Sequence, residues 1–419
     1  MKKSMMLAVA AVILLSLAVG QLLSTSGKPM DDNQVKPAVA DAEKVEKQEK
    51  PAADDEGLKE DDPKDETTSS NGETEITETG TSETSDTRTG EIKAEKALPA
   101  RVAVKGIYAT GFTAGSKNIE RLIDLIDKTE LNALVVDIKD ATGYLTTPLE
   151  TDPELSVSAV TYKIKDLPAL VTDLKERGIY TIARVVVFKD PLVADRYPEL
   201  AVQRKSGGIW RDYKGKAWTN PYKKEVWDYN VDIALAAIRA GFEEIQFDYV
   251  RFPSDGPLKE AVYPGKDNKN RADTIEAFLA YAGEKIHKAG AFVSADVFGL
   301  TCSAEDDLGI GQKIELIAGS ADYVSPMVYP SHYAPGSYGI KNPNASPYKT
   351  VYKSLTDAVY KTRDTDNIIR PWLQDFSYGY SYGAKEVRAQ IKATYDAGLE
   401  EWILWNASNR YTGRALNKE

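Results

Sequence analysis

Gly241-Phe242-Glu243-Glu244-Ile245-Gln246-Phe247-Asp248-Tyr249-Val250-Arg251-Phe252-Pro253 packs three signals into one short stretch. Gly241 follows Ala240, and a glycine there takes the left-handed conformation that stops a helix. Ile245, Phe247 and Val250 then read as the apolar run of a buried strand, which Pro253 ends. Asp248 and Arg251 stand at its exit, a carboxylate and a guanidinium that are costly to bury unless paired or used. An ion pair pinning a loop accounts for them. So does an active site, because in a barrel of alternating strands and helices the site lies where the strands end.

The same pattern recurs on both sides of this stretch. Runs rich in β-branched and aromatic residues fall at Val104–Thr110, Ala133–Ile138, Tyr180–Phe188, Glu244–Val250, Ala291–Phe298, Tyr323–Val328, Ile368–Gln374 and Glu401–Asn406. Helical periodicity fills the gaps near Asn118–Thr129, Asp166–Arg177, Lys223–Ala240, Arg271–Ala289, Asp307–Ala318, Thr350–Thr362 and Ala384–Ala397. Strand–helix alternation implies parallel strands with helical crossovers. Eight strands close a (β/α)8 TIM barrel, and the residues from 98 to 419 leave room for enlarged loops. A doubly wound open sheet is the other α/β solution. It usually carries a nucleotide fingerprint, and Gly309-Ile310-Gly311-Gln312-Lys313-Ile314 lacks both the third glycine and a preceding strand.

The first hundred residues differ from the rest. Lys2 and Lys3 precede an uncharged apolar segment from Met5 to Leu23. That order reads as an export signal, long enough also to serve as a membrane anchor, with everything after it outside. Residues 1–27 are therefore expected to be a signal peptide or anchor. From Lys28 to Lys96 there is no Phe, Trp or Tyr, and acidic residues outnumber basic ones 21 to 10. Such a segment buries too little apolar surface to offset chain entropy, so residues 28–97 are expected to be a disordered acidic tether. The tether accounts for the net charge of −11, and the chain beyond it is nearly neutral. That balance leaves no basic footprint for nucleic acid. Cys302 is the only cysteine, so no disulfide framework holds the fold.

Polar and aromatic residues gather at the predicted strand ends. Strand two offers Asp137, Lys139 and Asp140; strand three, Arg184; strand four, Asp248 and Arg251; strand five, Asp296. Strand six offers Tyr329 and, in its loop, His332. Strand seven adds Trp372, Gln374 and Asp375, and strand eight adds Trp405 and Asn406. Splitting a glycosidic bond needs two carboxyl groups, one to protonate the leaving oxygen and one to support the cationic centre. Flat aromatic rings suit the apolar faces of sugars. Taken singly, each polar residue is equally consistent with a structural salt bridge inside the barrel.

Several strings resemble the bacterial "putative glycosyl hydrolase domain" family, a relative of the amylase-like (β/α)8 glycosidases. They are Lys105-Gly106-Ile107-Tyr108, Val135-Val136-Asp137-Ile138-Lys139-Asp140, Ala183-Arg184-Val185-Val186-Val187-Phe188-Lys189-Asp190, Trp218-Thr219-Asn220-Pro221, Gln246 to Pro253, and Ser325 to Tyr333. The likeness spans Arg101 to Arg414. It implies that Asp248, ending strand four, is the nucleophile or charge stabiliser. Amylase-like relatives usually place a glutamate on strand five, where this chain has Asp296. Asp137, Asp140 and Asp375 are the other contenders for the general acid. On this reading Arg251 or Arg184 keeps Asp248 ionised, while Asp296, beside Val297 and Phe298, sits in a drier place that favours its protonated form. The substrate would be a cell-envelope or extracellular polysaccharide, with no cofactor and no metal.

Three other classes compete. Metal-dependent hydrolases draw on several histidines, and this chain has only His287 and His332. Gly379-Tyr380-Ser381-Tyr382-Gly383 matches a nucleophile elbow in letters, but no histidine follows Ser381. A non-catalytic glycan-binding barrel would keep the aromatics and tolerate loss of either carboxyl group. The stretch from Asp190 to Tyr222 is expected either to shape specificity or to form a hairpin flap around Trp210 and Trp218.

Overall fold

The computed structural model describes residues 96–151, 155, 159–266 and 269–418. The expectations for the signal or anchor segment and for nearly all of the tether lie outside these residues. Eight strands, β1 (Lys105–Ala109), β2 (Ala133–Lys139), β3 (Tyr180–Val186), β4 (Glu244–Asp248), β5 (Phe292–Phe298), β6 (Tyr323–Met327), β7 (Trp372–Gln374) and β8 (Trp402–Trp405), pair parallel in sequence order. Trp372 of β7 faces Met327 of β6 on one side and Ile403 of β8 on the other, and β8 pairs with β1, which closes the sheet. Helices α1 (Ile119–Asp127), α2 (Leu167–Glu176), α3 (Lys224–Arg239), α4 (Arg271–Lys288), α5 (Ile314–Ala318), α6 (Pro347–Thr362) and α7 (Ala384–Asp396) follow β1 to β7 in turn. This is the (β/α)8 barrel that the alternation implies.

The strands are buried on both faces, as a parallel sheet under helices requires. Outward side chains such as Leu134, Val136, Val185, Phe247 and Val297 pack against the helix layer. Inward ones such as Val135, Tyr180, Ile182, Trp372 and Ile403 fill the barrel. Asp166 and Asn270 start α2 and α4 by accepting the amides of Ala169 and Asp273 at 2.9 and 2.8 Å, each cap worth about 1 kcal/mol. Gly178, Gly241, Gly290 and Gly398 all take positive φ just before a strand, at the predicted helix stops.

Two elements differ from the sequence reading. Ile368–Gln374 is not one strand: Ile368–Ile369 pairs with β6, Arg370 and Pro371 intervene, and β7 follows. Pro371 has no amide hydrogen to continue the ladder, but its carbonyl accepts from Ile403 N at 2.9 Å. The helix expected from Asp307 begins only at Ile314. Asp307 accepts the amides of Gly309 and Gly311 at 2.9 and 3.1 Å, a local turn that competes with helix. The residue freed by that turn, Gln312, binds the Phe298 amide (2.9 Å) and the Asp296 carbonyl (3.1 Å), fixing the end of β5.

At the N-terminal end of the barrel, Arg370 donates to both oxygens of Glu244 at 2.8 and 2.9 Å, with both side chains fully buried. Tyr180 adds a hydrogen bond to Glu244 at 3.2 Å, and the guanidinium lies over the Tyr323 ring. This ionic floor closes the end opposite the strand exits.

Candidate active site

Register decides which side chains meet at the strand exits. Val186 lies opposite Asp248, and Phe247 opposite Ala295. One step on, Asp248 and Asp296 are therefore neighbours on adjacent strands, and alternation turns both inward. Tyr108, Asp137, Arg184, Trp372 and Trp405 arrive at the same end from β1, β2, β3, β7 and β8, with Tyr329 just beyond β6. Nearly all of these side chains are buried.

The two carboxylates have opposite surroundings. Arg184 donates to Asp248 Oδ2 through Nε (3.1 Å) and Nη2 (2.5 Å), and the Tyr249 amide donates to Oδ1 at 2.6 Å. Asp248 therefore has a cation on one oxygen and an amide on the other, the partners of an ionised group. Among the described residues no cation is in hydrogen-bond contact with Asp296; its Oδ1 accepts the Trp372 indole N–H at 2.7 Å. Burial, and then the nearby Asp248 charge, push its carboxyl well above the ordinary range. Two neighbouring carboxyl groups thus sit in different electrostatic surroundings.

Contacts run from one carboxylate around the barrel to the other. Arg184 Nη1 reaches Asp137 Oδ1 at 2.6 Å, and Asp137 Oδ2 accepts from the Tyr108 hydroxyl. The Tyr108 ring stacks on Trp405 at 4.3 Å, and Trp405 meets Trp372 edge-on at 5.4 Å. Trp372 closes the circuit on Asp296. Tyr249, directly after Asp248, holds a left-handed backbone at φ 49°, uncommon for a bulky residue and a feature that clusters at functional sites.

Other candidates are placed elsewhere. Lys139 was expected to face substrate with Asp137, but a bulge sets Asp137 opposite Arg184 and Lys139 opposite Val185. The extra residue flips Lys139 to the helix layer, where its ammonium lies 2.7 Å from both Asp190 and Asn230. Asp140 binds the Thr142 amide and approaches Lys163 at 3.4 Å, in the loop after β2. Gln374 accepts the Ser331 amide and donates to the Phe376 carbonyl, while Asp375 accepts from Thr412, so both tie loops together. Asn406 donates to the carbonyls of Asp375 and Arg410. Arg184, not Arg251, makes the contacts to Asp248 given above; Arg251 donates to Phe252 O and Ser254 Oγ, with its guanidinium over Trp218, Tyr249 and Phe298. His332 lies edge-on to Tyr329 at the rim, and His287 pairs with Asp322 at 2.8 Å on α4. Tyr108 was not among the expected site residues, although the Lys105-Gly106-Ile107-Tyr108 string contains it.

The stretch after β3 folds back as an antiparallel hairpin, bridged at Ala201–Thr219, Gln203–Ile209 and Arg211–Ala217. Trp210 and Trp218 are buried within it, and Trp210 donates to the Pro257 carbonyl at 3.0 Å. Gln203–Arg204 pairs with Ala261–Val262 from the loop after β4.

Residues 106–411 match the family described as "putative glycosyl hydrolase domain". The chain belongs to that family. Among solved structures, a hypothetical protein from Ruminiclostridium thermocellum is 36% identical over 48% of this chain and 98% of its own, at a TM-score of 0.42. The PgaB (BpsB) glycoside hydrolase domain of Bordetella bronchiseptica is 13% identical over 75% of this chain and 99% of its own. Its TM-score of 0.57 marks a shared fold. An α-galactosidase from Thermus thermophilus is 12% identical over 75% of this chain and 60% of its own, at a TM-score of 0.47. No curated protein matches the sequence.

Proposed function

We propose that this protein is an exported glycosidase that cleaves a cell-envelope or extracellular polysaccharide with two carboxyl groups. Asp248 is the nucleophile or charge stabiliser, and Asp296 is the general acid. The reading rests on one observation: neighbouring carboxyl groups at the strand exits, one hydrogen-bonded to a guanidinium and the other buried with a neutral indole N–H as its donor. An acid that keeps its proton near neutrality can give it to a leaving oxygen, while the ionised partner supports the positive centre. Trp372, Trp405, Tyr108 and Tyr329 supply flat rings around the pair. Membership of the glycosyl hydrolase domain family supports the reaction class, and Lys2, Lys3 and the apolar segment after them support export or anchoring.

The test is release of new reducing ends from purified bacterial envelope polysaccharides, with Asp248→Asn and Asp296→Asn beside the unaltered protein. Each substitution should lower turnover at least ~100-fold with folding intact, the usual contribution of a positioned acid or base. Unchanged rates in both variants would reject the assignment. Tight glycan binding without turnover by the unaltered protein would instead favour a binding barrel, and loss of turnover on chelation a metal-dependent hydrolase.

A further inference from the structure

We infer that Asp137 is a positioning residue rather than a substrate contact: it shares the Arg184 guanidinium with Asp248, limits how tightly that cation holds Asp248, and is itself anchored by Tyr108. This inference rests on the proposed role of Asp248. Arg184 splits its donors, sending Nη1 to Asp137 at 2.6 Å and both Nε and Nη2 to Asp248. A guanidinium shared between two carboxylates stabilises each one less than it would stabilise either alone. Asp137 lies on the same face as Asp248; burial pushes its own carboxyl above the ordinary range, and Arg184 and the Tyr108 hydroxyl oppose that push. A carboxylate held too firmly is a weak nucleophile and a weak base, because reactivity follows proton affinity. Sharing keeps Asp248 paired with a cation and still reactive.

The surroundings of Asp137 fit this role. One oxygen is taken by Arg184 and the other by the Tyr108 hydroxyl, and the residue is only 4% exposed. Tyr108 is fixed in turn, by its stack on Trp405 and by hydrogen bonds of its amide and carbonyl with the Tyr411 hydroxyl at 2.9 and 2.6 Å. The titratable and charged groups facing the cluster are Tyr108 on β1, Asp137 on β2 with Asp140 beyond it, Arg184 on β3, and Tyr411 after β8. Asp248 on β4, Asp296 on β5 and Tyr329 after β6 complete the ring, with Arg370 deeper in the barrel.

The experiment is a carboxyl carbon-13 titration of the full chain labelled at aspartate, with the Asp248 signal assigned by its loss in Asp248→Asn. In Asp137→Asn the Asp248 signal should titrate at lower pH, as expected when a cation is no longer shared. Asp137→Glu, which keeps the charge, should restore most of the shift. Tyr108→Phe keeps the ring but removes the donor, and should raise the midpoint of Asp137 itself. On a polysaccharide that the protein cleaves, Asp137→Asn should lower kcat at least ~10-fold and leave KM within about twofold. An unmoved Asp248 midpoint in Asp137→Asn overturns the inference. So does a KM raised more than ~10-fold at unchanged kcat, the signature of a lost substrate contact. An unmoved Asp137 midpoint in Tyr108→Phe removes the anchor. The titration needs no substrate, so its failure is distinct from a failure to find a glycan that is cleaved.

Discussion

The indole N–H of Trp372 lies 2.7 Å from Oδ1 of Asp296, and in the contacts given above it is the hydrogen bond that opposes the upward push on that carboxyl. The donor comes from β7, immediately after the Arg370-Pro371 break, and the acceptor from the end of β5. The proton affinity of the proposed acid is thus set partly from across the barrel.

Removing that donor gives a signed prediction. Trp372→Phe keeps an aromatic ring but no N–H, so the ionised form of Asp296 loses a stabilising partner. Its carboxyl should rise further, and the alkaline limb of the kcat/KM profile should move to higher pH. A limb that moves down or stays fixed would show that Asp296 is not the proton donor.

Asp296 should also cost stability at neutral pH. Its carboxyl titrates well above the ordinary value of 3.8, so the folded chain holds a proton there that the unfolded chain has lost. The stability contributed by this group is complete below about pH 4 and declines as pH rises through the folded value. Asp296→Asn should therefore gain about 0.5–2 kcal/mol at pH 7, and little at pH 4. Denaturant melts at the two pH values check this; an equal effect at both would refute it.

Lys139 separates a structural ion pair from a binding group. Lys139→Met leaves Asp190 buried without its cation, and unfolding should become easier by about 3–5 kcal/mol. Because the ammonium faces α3 rather than the barrel mouth, KM for a cleaved polysaccharide should not change. A raised KM at unaltered stability would return Lys139 to the site.

The floor of the barrel should behave likewise. Arg370→Met takes the guanidinium from both oxygens of buried Glu244 and leaves it the Tyr180 hydroxyl. The loss should again be about 3–5 kcal/mol, read by chemical unfolding. Any change in pH profile should be minor beside that of Trp372→Phe.

The eight strands were legible in sequence because two-sided burial leaves unbroken apolar runs, and glycines mark where four of the helices stop. Asp248 and Asp296 were legible because each is a charge at the end of such a run. Four features were not. The bulge between Asp137 and Lys139 inverts every facing assignment after it, and no residue in that string announces it. The Arg370-Pro371 break was visible in principle, since proline cannot donate to a ladder, yet the flanking Ile368 to Gln374 read as continuous. Gln374, Asp375 and Asn406 resembled site residues because loop-tying polar groups occupy the same strand ends as catalytic ones. Tyr108 hid for the opposite reason: its ring counts as core in any pattern, and only the stack on Trp405 aims its hydroxyl at Asp137.

The flap after β3 and the loop after β4 are stitched by backbone pairing of Gln203–Arg204 with Ala261–Val262 and by Trp210 resting on Pro257. Drift in one segment must therefore be answered by the other. Anyone transplanting substrate preference between relatives would need to move both pieces together, as a single cassette, because a half-graft would tear its own hem.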